Sequence, residues 1–413
     1  MARNRGHSVF LLLLAASILA LAFLPNPVEP LTGVTDVQAL RAIKESIDPV
    51  TITPTSFLYS WDFNVDPCDS SGSFLGVLCS FPLDNSSSRV IAIGLDDAGY
   101  DGFLSPLIGN LTELVTLDLT RNKFRGPLPE SIINLRQLTK LLISENLFTG
   151  QIPDAITKLK LLQEADLSYN HFSGSVPAKI AVLRSLNRLI LSNNALSGRL
   201  PDLSGLWQLS ALDVSSNNLY GNIPRLPLNL KTLFMSHNVF SGHVSPVKHL
   251  QKLLVLDVSD NRLSGRVLQQ VLTLSSVVRL NVSRNHFTAM DPIDFPGIET
   301  HLQSLDANDN QLRGHLPVTL AGLENLTALD LSHNYLSGSI PREYGAKVGK
   351  PWKYLYLNDN FLQGNLPPQL AAAGGGEIRG SLANNCLRCS SNIRLCRGGQ
   401  RPHAVCTAQR RRW

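Results

Sequence analysis

The chain has 413 residues, with 37 Lys and Arg against 32 Asp and Glu, which gives a formal net charge of +5. Seven of the arginines follow Cys386 and the aromatic residues form no stacking platform, so this composition argues against a nucleic-acid-binding protein. The length would allow two or three compact domains, but a repeat that fills most of it predicts one elongated domain.

Residues 1–22 are predicted to be a secretory signal peptide. Arg3 and Arg5 precede an apolar run from Val9 to Leu24, and Ala20-Leu21-Ala22 supplies small residues for cleavage. An uncleaved membrane anchor is the alternative, although the run is near the lower length limit for a spanning helix. No later segment has such a run, so we expect a secreted protein of the apoplast or cell wall, held at the plasma membrane only through a partner.

Four Asn-x-Ser/Thr motifs agree with secretion, because they are acceptors for N-linked glycans. Asn281 lies between Leu280 and Val282, which the strand pattern points inward, so a glycan on it would cover part of the outward face. The motifs begin at Asn85, Asn110, Asn281 and Asn325.

The six cysteines lie near the two ends of the repeats, where coils without a stacking partner need closure. Cys68 and Cys79 form the economical first pair, whereas the last four, Cys386, Cys389, Cys396 and Cys406, allow three connectivities. A metal site at the Cys-x-x-Cys of Cys386 and Cys389 is the alternative, which an oxidising compartment disfavours. We predict an N-terminal cap at residues 31–90 and a C-terminal cysteine cap with an Arg-rich tail at residues 371–413.

An asparagine recurs eleven times in one phrase, preceded by a Leu-x-Leu-like strand and followed by Leu or Phe and usually by Gly-x-Ile/Leu/Val-Pro. Its period of 21 to 26 residues indicates a stacked solenoid, and Ala98 occupies the asparagine position of one earlier, atypical coil. We predict an α/β repeat solenoid at residues 91–370, with a parallel β-sheet on its concave side and about a dozen coils. The asparagines are Asn122, Asn146, Asn170, Asn194, Asn217, Asn238, Asn261, Asn285, Asn310, Asn334 and Asn360.

Each recurring residue has a physical reason. Alternation sends Leu117 and Leu119 inward while Asp118 faces solvent. The asparagine is expected to bond backbone groups of its own and the adjacent coil, since unsatisfied backbone at the bend would be costly. The following glycine suits a turn that needs positive φ.

Two coils depart from the period. The coil from Asn217 to Asn238 is short and reads Pro224-Arg225-Leu226-Pro227 on its convex limb, which predicts extended chain there. The coil from Asn285 to Asn310 loses the Gly-x-Ile-Pro phrase, which predicts a local bend or protrusion.

The full phrase is similar to the plant-type extracellular leucine-rich repeat, and residues 329–341 match it nearly throughout. The segment with Pro67-Cys68 and Gly76-Val77-Leu78-Cys79 resembles that family's N-terminal cap, although Phe74 stands where the family usually has Trp. The resemblance, to receptor-like proteins and polygalacturonase-inhibiting proteins, implies a leucine-rich repeat superhelix that recognises other molecules. The membrane helix and kinase of the related receptors are not seen in the sequence, so signalling would need a partner protein.

The outward positions of the concave strands are the expected binding residues, because stacking places side chains of successive coils about 5 Å apart. Asp is the default at the central position in the resembling family, and Leu142, Ile190, Phe234 and Tyr356 break it with apolar area that we expect to be exposed. Such residues are either binding hot spots or ordinary surface residues.

The position before each repeat asparagine varies more, and from His237 to Asp359 it alternates basic with acidic groups. This row either orients a peptide or a charged partner or is simply a solvated polar surface. The candidates in the row are Arg121, Glu145, Tyr169, His237, Asp260, Arg284, Asp309 and His333.

Catalysis is not expected. Asp306 and Asp330 fall in adjacent coils, but an open ribbon should give neither enclosure nor the burial that would separate their pKa values. The sequence has no nucleophile, phosphate-loop or zinc motif, so we expect no cofactor or metal.

We therefore predict a non-catalytic extracellular recognition protein that binds a peptide or a receptor-kinase ectodomain in signalling or defence. The alternative is an inhibitor of a secreted cell-wall hydrolase such as polygalacturonase. The tail after Cys386, with seven Arg and no acid, is a candidate for contact with anionic cell-wall polysaccharide or a membrane surface; a solvated, disordered tail is the alternative.

Overall fold

The computed structural model describes residues 32–69, 72–80, 86–293, 300–372 and 378–410. The predicted signal peptide, Asn85 and the tail residues Arg411 and Arg412 lie outside these ranges. No helix within them has the length and apolarity that a membrane span requires.

Helix α1 (Val34–Glu45) begins an N-terminal cap, and 3-10 helices follow at Pro49–Thr51 and Phe57–Ser60. The buried Asp36 carboxylate on α1 pairs with the Arg89 guanidinium at 2.9 Å. Strand β1 (Val77–Ser80) pairs antiparallel with β2 (Arg89–Gly94). The cap therefore covers the sheet edge that no earlier coil could cover.

Within the described ranges, the concave sheet consists of β1 and thirteen parallel strands, one for each coil. Leu117 and Leu119 are buried while Asp118 is half-buried on the outward side, which confirms the predicted alternation. Leu117 is in register with Leu141 of the next strand, so one leucine stacks on another along the core. The parallel strands are β2, β4 (Thr116–Asp118), β6 (Lys140–Leu142), β8 (Glu164–Asp166), β10 (Arg188–Ile190), β12 (Ala211–Asp213), β14 (Thr232–Phe234), β16 (Val255–Asp257), β18 (Arg279–Asn281), β20 (Ser304–Asp306), β22 (Ala328–Asp330), β24 (Tyr354–Tyr356) and β26 (Arg379–Ser381).

The repeats extend one coil beyond residue 370, where the sequence placed their end. Asn385 makes the repeat contacts, donating to the Leu357 carbonyl at 2.9 Å and accepting from the Leu362 amide at 3.0 Å. Gly380 occupies the usual leucine position of this coil, and a Cβ there would lie 1.7 Å from the Leu355 carbonyl oxygen. The missing leucine hid this coil in the sequence, and Cys386 therefore lies on a repeat strand.

A second ribbon of parallel strands follows the asparagine bend. It has nine strands in order and is then interrupted between β19 and β21, in the coil that loses its Gly-x-Ile-Pro phrase. The strands are β3 (Asp101–Phe103), β5 (Lys123–Pro127), β7 (Leu147–Gln151), β9 (His171–Gly174), β11 (Ala195–Arg199), β13 (Asn218–Asn222), β15 (Val239–Gly242), β17 (Arg262–Val267), β19 (His286–Met290), β21 (Arg313–His315), β23 (Tyr335–Gly338), β25 (Phe361–Asn365) and β27 (Cys386–Arg388).

Short helices return the chain along the convex limb in most coils. The coil that contains Pro224–Pro227 has none, as predicted, and the coil before it also has none in the described chain. The helices are 3-10 turns at Pro106–Asn110, Glu130–Asn134, Asp154–Lys158, Ile180–Val182, Ser245–His249 and Val318–Gly322, and the α-helices α2 (Gln269–Leu272), α3 (Arg342–Ala346) and α4 (Pro368–Ala372).

The repeat asparagines form a ladder of hydrogen bonds, which is buried at nine of the eleven positions and half-buried at Asn194 and Asn238. Asn146 accepts from the Phe124 amide at 2.9 Å and donates to the carbonyls of Leu119 and Ser144 at 2.8 and 3.1 Å. One side chain thus ties two coils together, which confirms the predicted role. The ten repeat glycines after the asparagines, such as Gly126, have φ between 73° and 89°, as their turn requires.

Disulfides close both ends. Cys68 bonds Cys79, which confirms the first predicted pair. The last four cysteines pair among themselves as Cys386 with Cys406 and Cys389 with Cys396, so neither Cys386 nor Cys389 has a free thiolate for a metal. A 3-10 turn at Arg394–Cys396 and helix α5 (His403–Arg410) complete the C-terminal cap.

Candidate binding surface on the concave sheet

Six central outward positions of the concave sheet carry an Asp with a structural task. Asp166 accepts from the Ser168 amide at 3.1 Å and from the Ser168 hydroxyl at 2.6 Å, which closes a local turn at the strand end. Asn281 makes the same turn with Ser283. These side chains are engaged in hydrogen bonds that close a backbone turn, which explains why Asp is the default residue.

The four apolar exceptions are only half-buried, not exposed as the sequence suggested. Leu142, Ile190, Phe234 and Tyr356 lie on four different concave strands. Between the first three of these strands lie strands with Asp at the same position, as Asp213 lies in register between Ile190 and Phe234. The apolar residues are therefore isolated positions in a polar row. They are half-buried because side chains of the adjacent coils shield them.

A further exposed aromatic residue escaped the sequence analysis. Tyr354, two residues before Tyr356, is 40% exposed. Both tyrosines point outward from β24, and Arg379 pairs in register with Tyr354 on the next strand. The Tyr-Leu-Tyr pattern of this strand, with both outward positions aromatic, was the available signal. This end of the sheet thus carries the densest outward aromatic group of the concave strands in the described chain.

The position before each repeat asparagine adopts a left-handed backbone. All eleven residues of the row, from Arg121 to Asp359, have φ between 49° and 58°, as does Asn384 with 53°. Such values strain most non-glycine residues and are worst for β-branched ones. The row contains no Val, Ile or Thr, which is the signal that could have revealed this conformation.

The row is a series of ion pairs between adjacent coils. Four neighbouring pairs in the row lie within salt-bridge distance, whereas the sequence showed only that the signs of their charges alternate. The N–O distances are 3.1 Å for Arg121 and Glu145, 3.0 Å for His237 and Asp260, 4.0 Å for Arg284 and Asp309, and 3.5 Å for His333 and Asp359. Exposed pairs of this kind add little stability, so their charges remain open to exchange with a partner.

Tyr169 interrupts the charged row. Its side chain is 58% exposed between Glu145 and Asn193. An exposed aromatic ring held on a strained backbone position offers a fixed contact for a ligand.

Asp306 has the most perturbed carboxyl group on the concave sheet. Burial raises its pKa to about 6, and the charges of Asp330 and Asp257 act in the same direction. The expectation that this surface would give no such burial is therefore wrong for Asp306. Asp306 also lies in register with Asp330 on the next strand. In the described residues, no group of His, Cys, Asp and Glu is arranged to hold a metal ion.

The described glycosylation motifs are differently placed. Asn110 is half-buried at the end of its 3-10 turn, whereas Asn325 is exposed and donates to the Thr300 carbonyl at 2.6 Å. Asn281 lies on the concave sheet, where a glycan would cover part of the surface. Their occupancy stays a prediction.

Comparison with known families agrees with this architecture. Residues 35–80 match the leucine rich repeat N-terminal domain, and residues 113–135, 137–159 and 275–336 match leucine rich repeat families. The chain therefore contains leucine-rich repeats and folds as a solenoid of them.

Two curated relatives of this repeat protein are probable receptor-like serine/threonine-protein kinases of Arabidopsis thaliana. At1g63430 is 38% identical over 90 residues, which is 21% of this chain and 12% of that protein. At1g07650 is 36% identical over 75 residues, which is 15% of this chain and 7% of that protein. The repeat protein thus matches only a small part of each relative.

Three solved structures share the solenoid. The structure of PEPR1 with AtPEP1 has a TM-score of 0.72 and 28% identity, covering 86% of this chain and 51% of that one. The Arabidopsis receptor kinase HAESA, in complex with the peptide hormone IDA and the co-receptor SERK1, gives 0.56 and 28%, covering 86% and 66%. A plant ice-binding protein gives 0.51 and 25%, covering 88% of this chain and 98% of that one.

Proposed function

We propose that this leucine-rich repeat protein is a non-catalytic recognition protein that works outside the cell and binds a peptide or a receptor-kinase ectodomain on its concave sheet. One observation carries the proposal. The outward row of the sheet departs from its structural Asp pattern at residues such as Phe234 and Tyr356, on a fold shared with PEPR1 and HAESA. Those two proteins are described with AtPEP1 and with IDA and SERK1 bound.

The cysteines support an extracellular compartment. All six form disulfides, three within the described chain, and such bonds persist in oxidising environments. An extracellular location and a secretory signal at residues 1–22 are therefore part of the proposal.

The net charge of the concave surface indicates which class of ligand it favours. The strands β4 to β26 and the row before the asparagines contain eleven Asp and Glu but six Lys and Arg. A concave surface with this excess of acid favours a cationic peptide or the basic face of a partner. The acids are Asp118, Glu145, Glu164, Asp166, Asp213, Asp257, Asp260, Asp306, Asp309, Asp330 and Asp359, and the bases are Arg121, Lys140, Arg188, Arg279, Arg284 and Arg379.

An affinity experiment tests this function. The purified protein and a Phe234→Ala/Tyr356→Ala variant are used as paired baits for a plant extracellular extract, and retained proteins and peptides are quantified by mass spectrometry. We expect basic peptides or receptor-kinase ectodomains that the wild type retains and the variant loses. Identical retention by the two baits would reject the concave sheet as the binding surface.

A second candidate is inhibition of a secreted cell-wall hydrolase. It rests on the same acidic excess of the concave sheet. The acidic sheet would then face a basic rim of the enzyme. Titration of fungal polygalacturonases with the protein distinguishes the two: dose-dependent loss of activity supports the inhibitor, and unchanged activity leaves the recognition role.

A further inference from the structure

Two exposed apolar residues lie side by side on the segments that lead from the convex limb into concave strands β12 and β14. Trp207 and Leu228 each stand four residues before their strand and are 58% and 64% exposed. In neighbouring coils the same position is polar: Arg136, Lys160, Arg184, Gln251 and Ser275. The apolar pair is therefore a local departure from the surface pattern of the repeat.

The pair borders a notch that exists because two successive coils lack a convex helix. The notch has a volume of about 720 Å³, and the buried side chains of Leu226 and Leu250 contribute to its lining, together with Arg225 and His249. A helical turn in the coil that contains Pro224–Pro227 would fill part of this space. The absence of a helix from this short coil therefore leaves the notch open.

The exposed tryptophan is held in place. The Arg184 guanidinium lies 4.7 Å from the centre of the Trp207 ring, and Asn229 donates to the Trp207 carbonyl. Lys252 in turn donates to Asn229 at 2.7 Å. A fixed aromatic side chain binds at a lower entropic cost than a mobile one, and Trp and Arg are enriched in binding hot spots.

The convex and connecting segments of the coils around the notch carry an excess of basic residues. The convex and connecting segments 175–187, 200–210, 223–231 and 243–254 contain six Lys and Arg and one acid, Asp202. The bases are Lys179, Arg184, Arg225, Lys231, Lys248 and Lys252. This charge is opposite to the acidic excess of the concave sheet, so the two surfaces favour different partners.

We propose that this notch binds an acidic segment of a partner protein, which places an aliphatic or aromatic side chain against Trp207 and Leu228 and its carboxylates beside Arg184 and Arg225. The side chains of Leu226, Leu228 and Leu250 form the apolar part of the lining, against which an aliphatic or aromatic side chain of the partner would pack. The site is separate from the concave surface, so the protein can hold two partners at once.

A random twelve-residue peptide library on phage tests the proposal, with selection on the wild-type protein and counter-selection on Trp207→Ala. We expect enriched peptides that combine Asp or Glu with Leu, Ile or Phe. A synthetic peptide of the enriched sequence, followed by fluorescence anisotropy, should bind about tenfold or more weakly to Trp207→Ala. With Arg225→Gln the loss should shrink as salt rises, because exposed charges are screened.

Leu161→Ala is the matched control, since Leu161 is also exposed on a connecting segment, two coils earlier; it should bind the peptide like wild type. Phe234→Ala should also bind the peptide normally, even if the concave function fails. The proposal is overturned if no enrichment depends on Trp207, if the enriched peptides are basic or uncharged, or if sedimentation shows a dimer that Leu228→Ser dissociates, because the occupant would then be a second copy.

Discussion

Asn193 and Asn194 are neighbours in the chain, yet the structure gives them opposite tasks. Asn194 accepts from the Phe172 amide at 2.9 Å and donates to the Leu167 carbonyl at 3.0 Å, so it joins two coils. Asn193 faces outward with a φ of 56°. Asn194 stabilises the coil through its side-chain hydrogen bonds, whereas Asn193 permits the bend because it tolerates a left-handed backbone conformation.

Asn194 is half-buried and not fully buried as the sequence suggested. We still expect Asn194→Ala to destabilise the protein by about 1 to 3 kcal/mol, because it removes hydrogen bonds to partly buried backbone groups of two coils. Asn193→Gly should stay within roughly 0.5 kcal/mol of wild type, whereas Asn193→Ala should cost about 1 kcal/mol because alanine disfavours positive φ. Urea unfolding followed by circular dichroism measures all three. Equal midpoints for Asn194→Ala and Asn193→Gly would show that the ladder does not stabilise the coils.

The period of the sequence predicted the ladder, the glycine turns and the inward leucines, since each is dictated by backbone geometry that every coil repeats. It did not predict the coil of Gly380, where close approach to Leu355 excludes the leucine that marks a repeat. Local spacing also failed to show that Arg284 and Asp309 lie 4.0 Å apart, because that distance depends on the stacking of coils.

The candidate site was less predictable than the fold. Sequence located Phe234 and Tyr356 on the outward face but overestimated their exposure, which depends on how far neighbouring side chains in the stack shield them. The burial of Asp306 and the notch beside Trp207 arise from contacts among three or more coils. A pattern within one coil contains no information on such contacts.

Asp306 should make stability fall as the pH rises from about 4 to 6. Its pKa is raised to about 6 in the folded protein, so the folded state binds more protons than the unfolded state in this window, and the associated stability is lost as the pH passes the folded pKa. Asp306→Asn should flatten this slope and stabilise the protein at pH 7 by on the order of 1 kcal/mol. Asn can keep the turn to Asn308, as Asn281 does to Ser283.

Melting temperatures at pH 4, 5, 6 and 7 measure this effect. Asn281→Asp is the matched inverse change, because it adds a carboxyl group in register with Asp306 and should steepen the slope. A slope that is the same for wild type and Asp306→Asn would contradict the assignment.

The C-terminal disulfides should stabilise the last coil locally. Cys386 and Cys406 are separated by 20 residues, so replacing both by Ser should cost about 3 kcal/mol in that region. Because solenoid stability is a sum over neighbours, amide exchange should rise in β27 and α5 and stay low near β4. The Cys389–Cys396 bond closes a loop of only 7 residues, so the Cys389→Ser/Cys396→Ser variant should have a smaller effect. Unreduced peptide mapping that linked Cys68 to any of these cysteines would contradict the pairing.

The Arg-rich tail should give only a salt-sensitive attraction to anionic polymers. Truncation after Cys406 removes Arg410, Arg411 and Arg412, and exposed charges are screened beyond about 10 Å at 0.1 M salt. Retention on immobilised polygalacturonate or on anionic vesicles should therefore drop at low salt and match wild type at moderate salt. A loss that persists at every salt concentration would assign the tail a specific site.

Substitutions on the concave sheet should weaken partner binding without lowering the stability of the protein. Phe234→Ala and Arg284→Glu each remove a half-buried or exposed contact, and binding should fall by about 1 to 3 kcal/mol while the unfolding midpoint stays near that of wild type. Val318→Ser is the control, because Val318 is 49% exposed on the convex limb. Titration calorimetry with a ligand recovered from extracellular extract measures the affinities. If both concave variants bind like wild type while Trp207→Ala does not, the partner uses the notch, and the concave sheet serves as a scaffold that holds it.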